Sequence, residues 1–243
     1  MLKFTTSWDD GHLLDLRVAG MLEHYGFTGT FYVCRDGQAG GKLNAKQIRL
    51  LAEHHEIGAH TLTHPSLPTV DDAALKAEID GSKEWLEDIL GTSVTMFAYP
   101  YGHHDARVKA AVKRAGFKGA RTTEDLLWRT DDPFRLSTSV QVHPFPIRPI
   151  FNRRCIQPFS THRSRLKELG VSLWQCRSLR TMAGGVLRHA AMNGKPWFHL
   201  WGHSWSLEQY GLWKDFEALL KAVAKTPFVT PVVNGALISG KSR

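Results

Sequence analysis

Only three cysteines occur in 243 residues, Cys34, Cys155 and Cys176, and no two of them form a C-x-x-C pair. That scarcity excludes a disulfide-stapled scaffold and a zinc knuckle, and the three side chains are expected to be buried thiols. No run of about 18 apolar residues is present, which excludes a membrane-spanning helix. Asp9 and Asp10 interrupt the amino terminus before any apolar stretch long enough for a secretory leader, so the chain as given is expected in the cytoplasm. A linker, a low-complexity tract and an internal repeat are missing too. With 42% hydrophobic residues the chain can bury a full core, and one domain over 1–243 is expected.

Acidic residues are scarce in one place. From Arg148 to His189 there are nine Lys or Arg and a single acid, Glu168, a surplus equal to the formal net charge of the whole chain, +8. The remainder is close to neutral. This segment, at about 148–189, carries Phe151, Phe159 and Trp174 and reads either as a wall for an anionic substrate or as a solvated helix face. Nucleic-acid binding is the other use of such a patch, but the chain has no helix-turn-helix, zinc-finger or stacking-sheet signature, and no nucleic-acid partner is expected.

Short apolar or alternating runs at 2–8, 29–34, 56–60, 95–99, 118–121, 136–142, 196–201 and 228–233 predict strands. Helical patterns lie between most of them. Leu13, Leu14, Leu16, Val18, Met21 and Leu22 suit a first helix and Ile48, Leu50 and Leu51 a second. A third is opened by Asp71 as N-cap and closed by Gly91, and a fourth is capped by Asp105 and ended by Gly116. Repeated β-α units imply an α/β fold with a parallel sheet, whose barrels carry their chemistry at the carboxyl ends of the strands.

Two of those ends carry ligand-type residues. Ser7-Trp8-Asp9-Asp10-Gly11 stops on two carboxylates, and His60-Thr61-Leu62-Thr63-His64-Pro65 holds two imidazoles one helical turn apart. Asp-Asp-Gly by itself is most often a turn, and among thirteen histidines some His-x-x-x-His spacing arises by accident. Together, each capping an apolar run, they are what a divalent transition metal takes, with three protein ligands leaving one position open.

These two motifs, Phe97-Ala98-Tyr99-Pro100-Tyr101-Gly102 and Leu200-Trp201-Gly202-His203 occur in the order of the motifs of the polysaccharide deacetylases, the NodB-homology or carbohydrate esterase family 4 enzymes. The chain resembles that family well from residue 1 to about 120 and again near 197–220. The resemblance implies an irregular (β/α)7 barrel and a metal-dependent hydrolase acting on non-peptide carbon–nitrogen bonds, removing N-acetyl from an amino sugar of a surface glycan (lipopolysaccharide, O-antigen or similar) or its activated precursor. It implies one divalent ion, Zn2+ with Co2+, Ni2+ or Mn2+ as substitutes, on Asp10, His60 and His64. Asp9 is then the general base, the backbone N–H of Tyr101 part of an oxyanion hole, and His203 the general acid. Ala98 stands where many members carry the Arg that orients the base, and Arg121 and Arg135 are the candidates to replace it. Ser204 stands where a carboxylate normally follows the histidine. His199 competes with His203 for the acid role or is a core histidine, while His103, His104 and His143 read as surface or loop residues. The alternatives are a hydrolase of cyclic amides or ureides on the same barrel and an inactive glycan-binding domain. A carbohydrate partner is expected, and oligomeric state stays open.

Overall fold

The computed structural model describes residues 1–37, 40–129, 131–142, 162–172 and 174–238. The strands among the described residues are β1 (Leu2–Asp9), β2 (Thr30–Val33), β3 (Glu56–Ala59), β4 (Met96–Ala98), β5 (Gly119–Arg121), β6 (Val140–Gln141), β7 (Trp197–Gly202) and β8 (Val229–Pro231). All pair in parallel in one sheet, in the order β5-β4-β3-β2-β1-β7-β6. Leu136 bridges to Arg121 and donates its N–H to Ala120 at 2.9 Å, so the stretch from 136 into β6 reaches from β5 across to β7 and closes a seven-stranded barrel. Strand β8 lies against the start of β1, pairing Leu2 with Val229 and Phe4 with Pro231. The expected irregular (β/α)7 barrel is the observed fold; six of the described strands lie within an expected run, and β1 and β7 each extend one residue beyond theirs, to Asp9 and Gly202.

Alternation along β1 builds two layers at once, because successive side chains point to opposite faces. Phe4 and Trp8 point outward, Phe4 against Phe27 and Trp8 against Phe216 of the helical coat. Thr5, Ser7 and Asp9 point into the barrel, where they meet Asn234, His199 and Arg121. The interior is therefore polar above a small apolar floor of Tyr32, Met96, Leu136, Trp197 and Leu237.

The helices are α1 (Asp15–His24), α2 (Ala45–Ala52), α3 (Asp72–Leu90), α4 (Ala106–Arg114), α5 (162–168), α6 (Leu179–Met192), α7 (Ser204–Gln209), α8 (Trp213–Ala224) and α9 (Gly235–Ile238). The Asp71 carboxylate accepts from Ala74 N–H at 2.8 Å and Asp105 from Val108 N–H at 2.7 Å, as their cap positions require. Gly91, at φ 68, ends α3. Two expectations fail locally. Leu13 and Leu14 precede α1, and Leu50 is 54% exposed on the outer face of α2. The basic stretch also contains α6, which sequence reading passed over. It is capped by Ser178, whose hydroxyl accepts from Thr181 N–H, and it buries Met182, Ala183, Val186 and Ala190 on α8 and β7.

Candidate metal centre and active site

The four motifs meet at the carboxyl ends of the strands around one cavity of about 570 Å3. Asp9 ends β1 pointing inward, and the next residue is turned by an unusual backbone. Asp10 sits at φ 79, which swings its carboxylate into the same mouth despite the opposite phase of the strand. Gly11 at φ 65 completes the turn, and a Cβ there would come within 2.7 Å of Val33 Cγ1. Lys42 Nζ, reaching over from the loop after β2, donates to the Asp10 carbonyl at 2.9 Å and holds the turn.

His60 and His64 follow β3, but the four-residue spacing is realised by a loop and not by a helix. Thr61 and His64 adopt φ 66 and φ 63. The Thr61 hydroxyl accepts from His64 N–H at 3.0 Å, and Glu78 on α3 accepts from Leu62 N–H at 2.8 Å and Thr63 N–H at 2.9 Å. Glu78 thus anchors the histidine loop to the helical coat.

The ligand atoms form a compact triangle. His60 Nε2 and His64 Nε2 are 3.1 Å apart, and Asp10 Oδ1 lies 3.8 Å from the first and 3.6 Å from the second. A tetrahedral ion with bonds of the usual length holds its ligands about 3.3–3.6 Å from one another, so the three residues fit one. Both imidazoles are neutral, as ligands must be. Burial pushes His60 down to about 4, and burial also lowers His64. His60 Nδ1 donates to the Ala98 carbonyl at 2.8 Å, which leaves its Nε2 lone pair facing the triangle. Among the described residues no other group of His, Cys, Asp and Glu has metal-ligand spacing.

The question raised by Ala98 is answered on the neighbouring strand. Ala98 pairs in register with Arg121 of β5, and the short side chain leaves room for a fully buried guanidinium that donates to Asp9 Oδ1. The rings of Tyr32 and Trp201 flank it, 5.2 and 4.8 Å from the guanidinium carbon. Burial works to raise the Asp9 carboxyl, but the charge and hydrogen bond of Arg121 outweigh it and hold the group below its ordinary value. Asp9 is an ionised, oriented carboxylate. Asp10 behaves alike: burial opposes ionisation, and His203 and the hydrogen bond from Trp205 overcome it.

The remaining expected residues separate. His203 lines the cavity, with Nε2 3.8 Å from Asp10 Oδ2. Tyr101, at φ 58 in the turn after β4, lines it too, and its ring meets that of His64 at 4.6 Å. Arg135 does not reach Asp9. It makes a two-point contact with Glu124, at 3.0 and 2.6 Å, because it sits in a turn on the outer side of the β5–β6 connection. His199 is not in the cavity wall either. It is fully buried one layer below, 2.8 Å from Ser7 Oγ, and burial followed by the nearby Arg121 charge pushes it down to about 3, so it is a neutral core histidine.

Of the other expectations, Cys34 and Cys176 are buried, whereas Cys155, His143, Phe151 and Phe159 fall outside the described residues. In the basic segment Arg163, Lys167, Arg180 and Arg188 face solvent, and no described residue of it lines the cavity. That part is a solvated helical face, not a substrate wall. Sequence reading missed Lys42, Glu78 and Trp205, which touch the site residues from other elements. Trp205 donates its indole N–H to Asp10 Oδ2 at 3.0 Å.

The polysaccharide deacetylase family model matches residues 4–120, the stretch that contains the Asp-Asp-Gly, His-x-x-x-His and Tyr-Pro-Tyr-Gly motifs. Over this stretch, just under half of its length, the chain is similar to that family. It is similar to chitin deacetylase 1 of Cryptococcus neoformans var. grubii, 31% identical over 90 residues, which is 36% of this chain and 18% of that protein. It is also similar to a chitin deacetylase of Pestalotiopsis sp., 29% identical over 133 residues, 51% of this chain and 42% of that protein. The chain thus spans less than half the length of these relatives. The fold of a family 4 acetyl xylan esterase from Clostridium thermocellum, solved with a cobalt ion, overlays 97% of this chain and 89% of that one with a TM-score of 0.60 at 16% identity. At that identity the overlay speaks for the barrel alone.

Proposed function

We propose that this protein is a metal-dependent hydrolase that removes N-acetyl groups from amino sugars of a glycan, in a surface polysaccharide or its activated precursor. The observation that carries the reading is the coincidence, in one cavity, of the Asp10, His60 and His64 triangle with a separate, Arg121-held Asp9. The two chitin deacetylases support it.

A divalent ion held by the triangle, zinc or cobalt by the chemistry of two imidazoles and a carboxylate, would polarise the acyl carbonyl and make a water acidic. Asp9 receives the proton of the attacking water. It is fitted for that task because Arg121 keeps it ionised and fixes one oxygen, and because it is not needed as a ligand. The backbone N–H of Tyr101, carried on a left-handed turn at the mouth, serves the developing oxyanion. His203 protonates the departing amine, and Tyr101 offers an aromatic face for a sugar ring to pack against.

Metal-loaded protein incubated with N-acetylated oligosaccharides should release acetate. Asp9→Asn should lower turnover about 10²–10⁴-fold with metal content intact, whereas Asp10→Asn should empty the site. Absence of acetate release from every N-acetylated glycan tried, or metal loss on Asp9→Asn in place of Asp10→Asn, would overturn the assignment.

A further inference from the structure

The two oxygens of the Asp10 carboxylate face different partners. Oδ1 turns to the imidazole pair, while Oδ2 accepts the Trp205 indole N–H at 3.0 Å. We propose that Trp205 is a positioning residue for the metal-binding carboxylate, and that it limits Asp10 to one ligating oxygen; the inference rests on the metal-binding reading given above. An indole N–H donates and does nothing else: it takes up no proton in the accessible range and ligates no metal. Its bond to Oδ2 therefore serves only to set the rotation of the carboxylate.

The placement of the indole is itself built. Trp205 occupies the first turn of α7, directly after β7, and both the backbone N–H and the hydroxyl of Ser206 donate to the His203 carbonyl, at 3.0 and 2.7 Å. The strand end and helix start are thereby tied into one rigid corner. The same corner sets the His203 ring 5.0 Å from the Trp205 ring, tilted by 41°, so the indole touches both the carboxylate and the cavity histidine. On the other side, Lys42 fixes the Asp10 backbone. Main chain and carboxylate are each held from outside the ligand triangle. Such outer partners typically change metal affinity about 10–100-fold when removed. A carboxylate kept to one oxygen leaves coordination positions for water and for the acyl group, whereas a freely rotating one can take both.

The test is a titration of Co2+ into metal-stripped full-length protein, followed by calorimetry and by visible absorption. Wild type should bind one ion per chain. Trp205→Phe keeps an aromatic face in the cavity wall and removes the donor. It should keep the stoichiometry, weaken binding about 10–100-fold, and alter the cobalt spectrum as the second oxygen enters, with deacetylation largely restored at saturating metal. Replacing Trp205 by the benzothienyl analogue preserves the bicyclic shape without the N–H and should give the same weakening if Trp205→Phe folds poorly. Wild-type affinity and spectrum in both variants, with only KM raised, would make Trp205 a sugar platform and overturn the proposal. A wild type that binds no ion would instead overturn the metal reading on which it stands.

Discussion

Both ends of the barrel use glycine in left-handed turns, Gly11 and Gly102 at the mouth among them, but the mouth adds site side chains to that conformation. At the base, where helices return to strands, the turns after α1, α3, α4 and α6 use Gly26, Gly91, Gly116 and Gly194, all with positive φ. At the mouth, where strands leave, the same region of backbone space is occupied by Asp10, Thr61, His64 and Tyr101, four of the five such non-glycine residues among those described. Glycine adopts this conformation freely, whereas each of the others pays about 1–3 kcal/mol. Base turns need only reverse the chain. Mouth turns must also aim a side chain into the cavity, so the strain is accepted there and offset by anchors such as Lys42, Glu78 and Trp205.

The carboxylates differ in the same way. Glu56 near the base accepts from the Thr30 hydroxyl at 2.7 Å and Gly235 N–H at 3.0 Å, all neutral donors, and burial raises its carboxyl above the ordinary value. Asp9 at the mouth is more deeply buried still, yet Arg121 brings it below. Neutral donors fill a hole in the fold, while a cation keeps a charge ready for chemistry.

The sharpest way to break this contrast is to remove the cation. Arg121→Ala leaves the Asp9 charge buried and unpaired, and an unfolding midpoint in urea should report a loss of about 3–5 kcal/mol, together with collapse of acetate release. A stability close to wild type would show that Asp9 is not charged in the folded protein. Smaller is the effect of Gly91→Ala. No heavy atom lies within 4 Å of the added Cβ, so the change measures the conformational penalty alone, about 1–2 kcal/mol, with activity untouched. A null result there would remove the energetic basis of the comparison between turns.

Smallest at neutral pH should be Glu56→Gln, within about 1 kcal/mol, because the amide oxygen can still accept both donors. Its signature lies in the pH dependence. A carboxyl with a raised folded pKa contributes stability that is complete below its unfolded value, near 4.5, and is lost as pH rises through the folded value. Wild type should therefore decline relative to Glu56→Gln between mildly acidic and neutral pH in paired denaturation curves, and parallel curves would contradict the assignment of Glu56 as a group that resists ionisation.

Much of this was legible in one dimension. The alternation of residues 2–8, the caps Asp71 and Asp105, and the stops at Gly91 and Gly116 mark local interactions that each segment makes with itself, and they hold their places in the fold. The donor types of the ligand triangle were legible because two histidines fall within one loop and two carboxylates close a strand, while the choice of Asp10 over Asp9 came from the family resemblance. In α6 the apolar spacing at Met182, Val186 and Ala190 stands among basic residues, so the segment reads as a charged face and not as an element packed on β7.

What the order of residues determined, then, is the β-α rhythm, the donor types and their position at strand ends. The tertiary structure alone decided which arginine serves Asp9: Arg121 and Arg135 are alike in sequence, and only the register of β5 against β4 sets Arg121 beside Ala98 while Arg135 turns out to Glu124. It also decided that His199 lies sealed beneath the cavity while His203 opens onto it, although they stand four residues apart. The physical reason is that strand pairing and barrel closure join residues more than a hundred positions apart, and neither spacing nor composition encodes which of them will share a face.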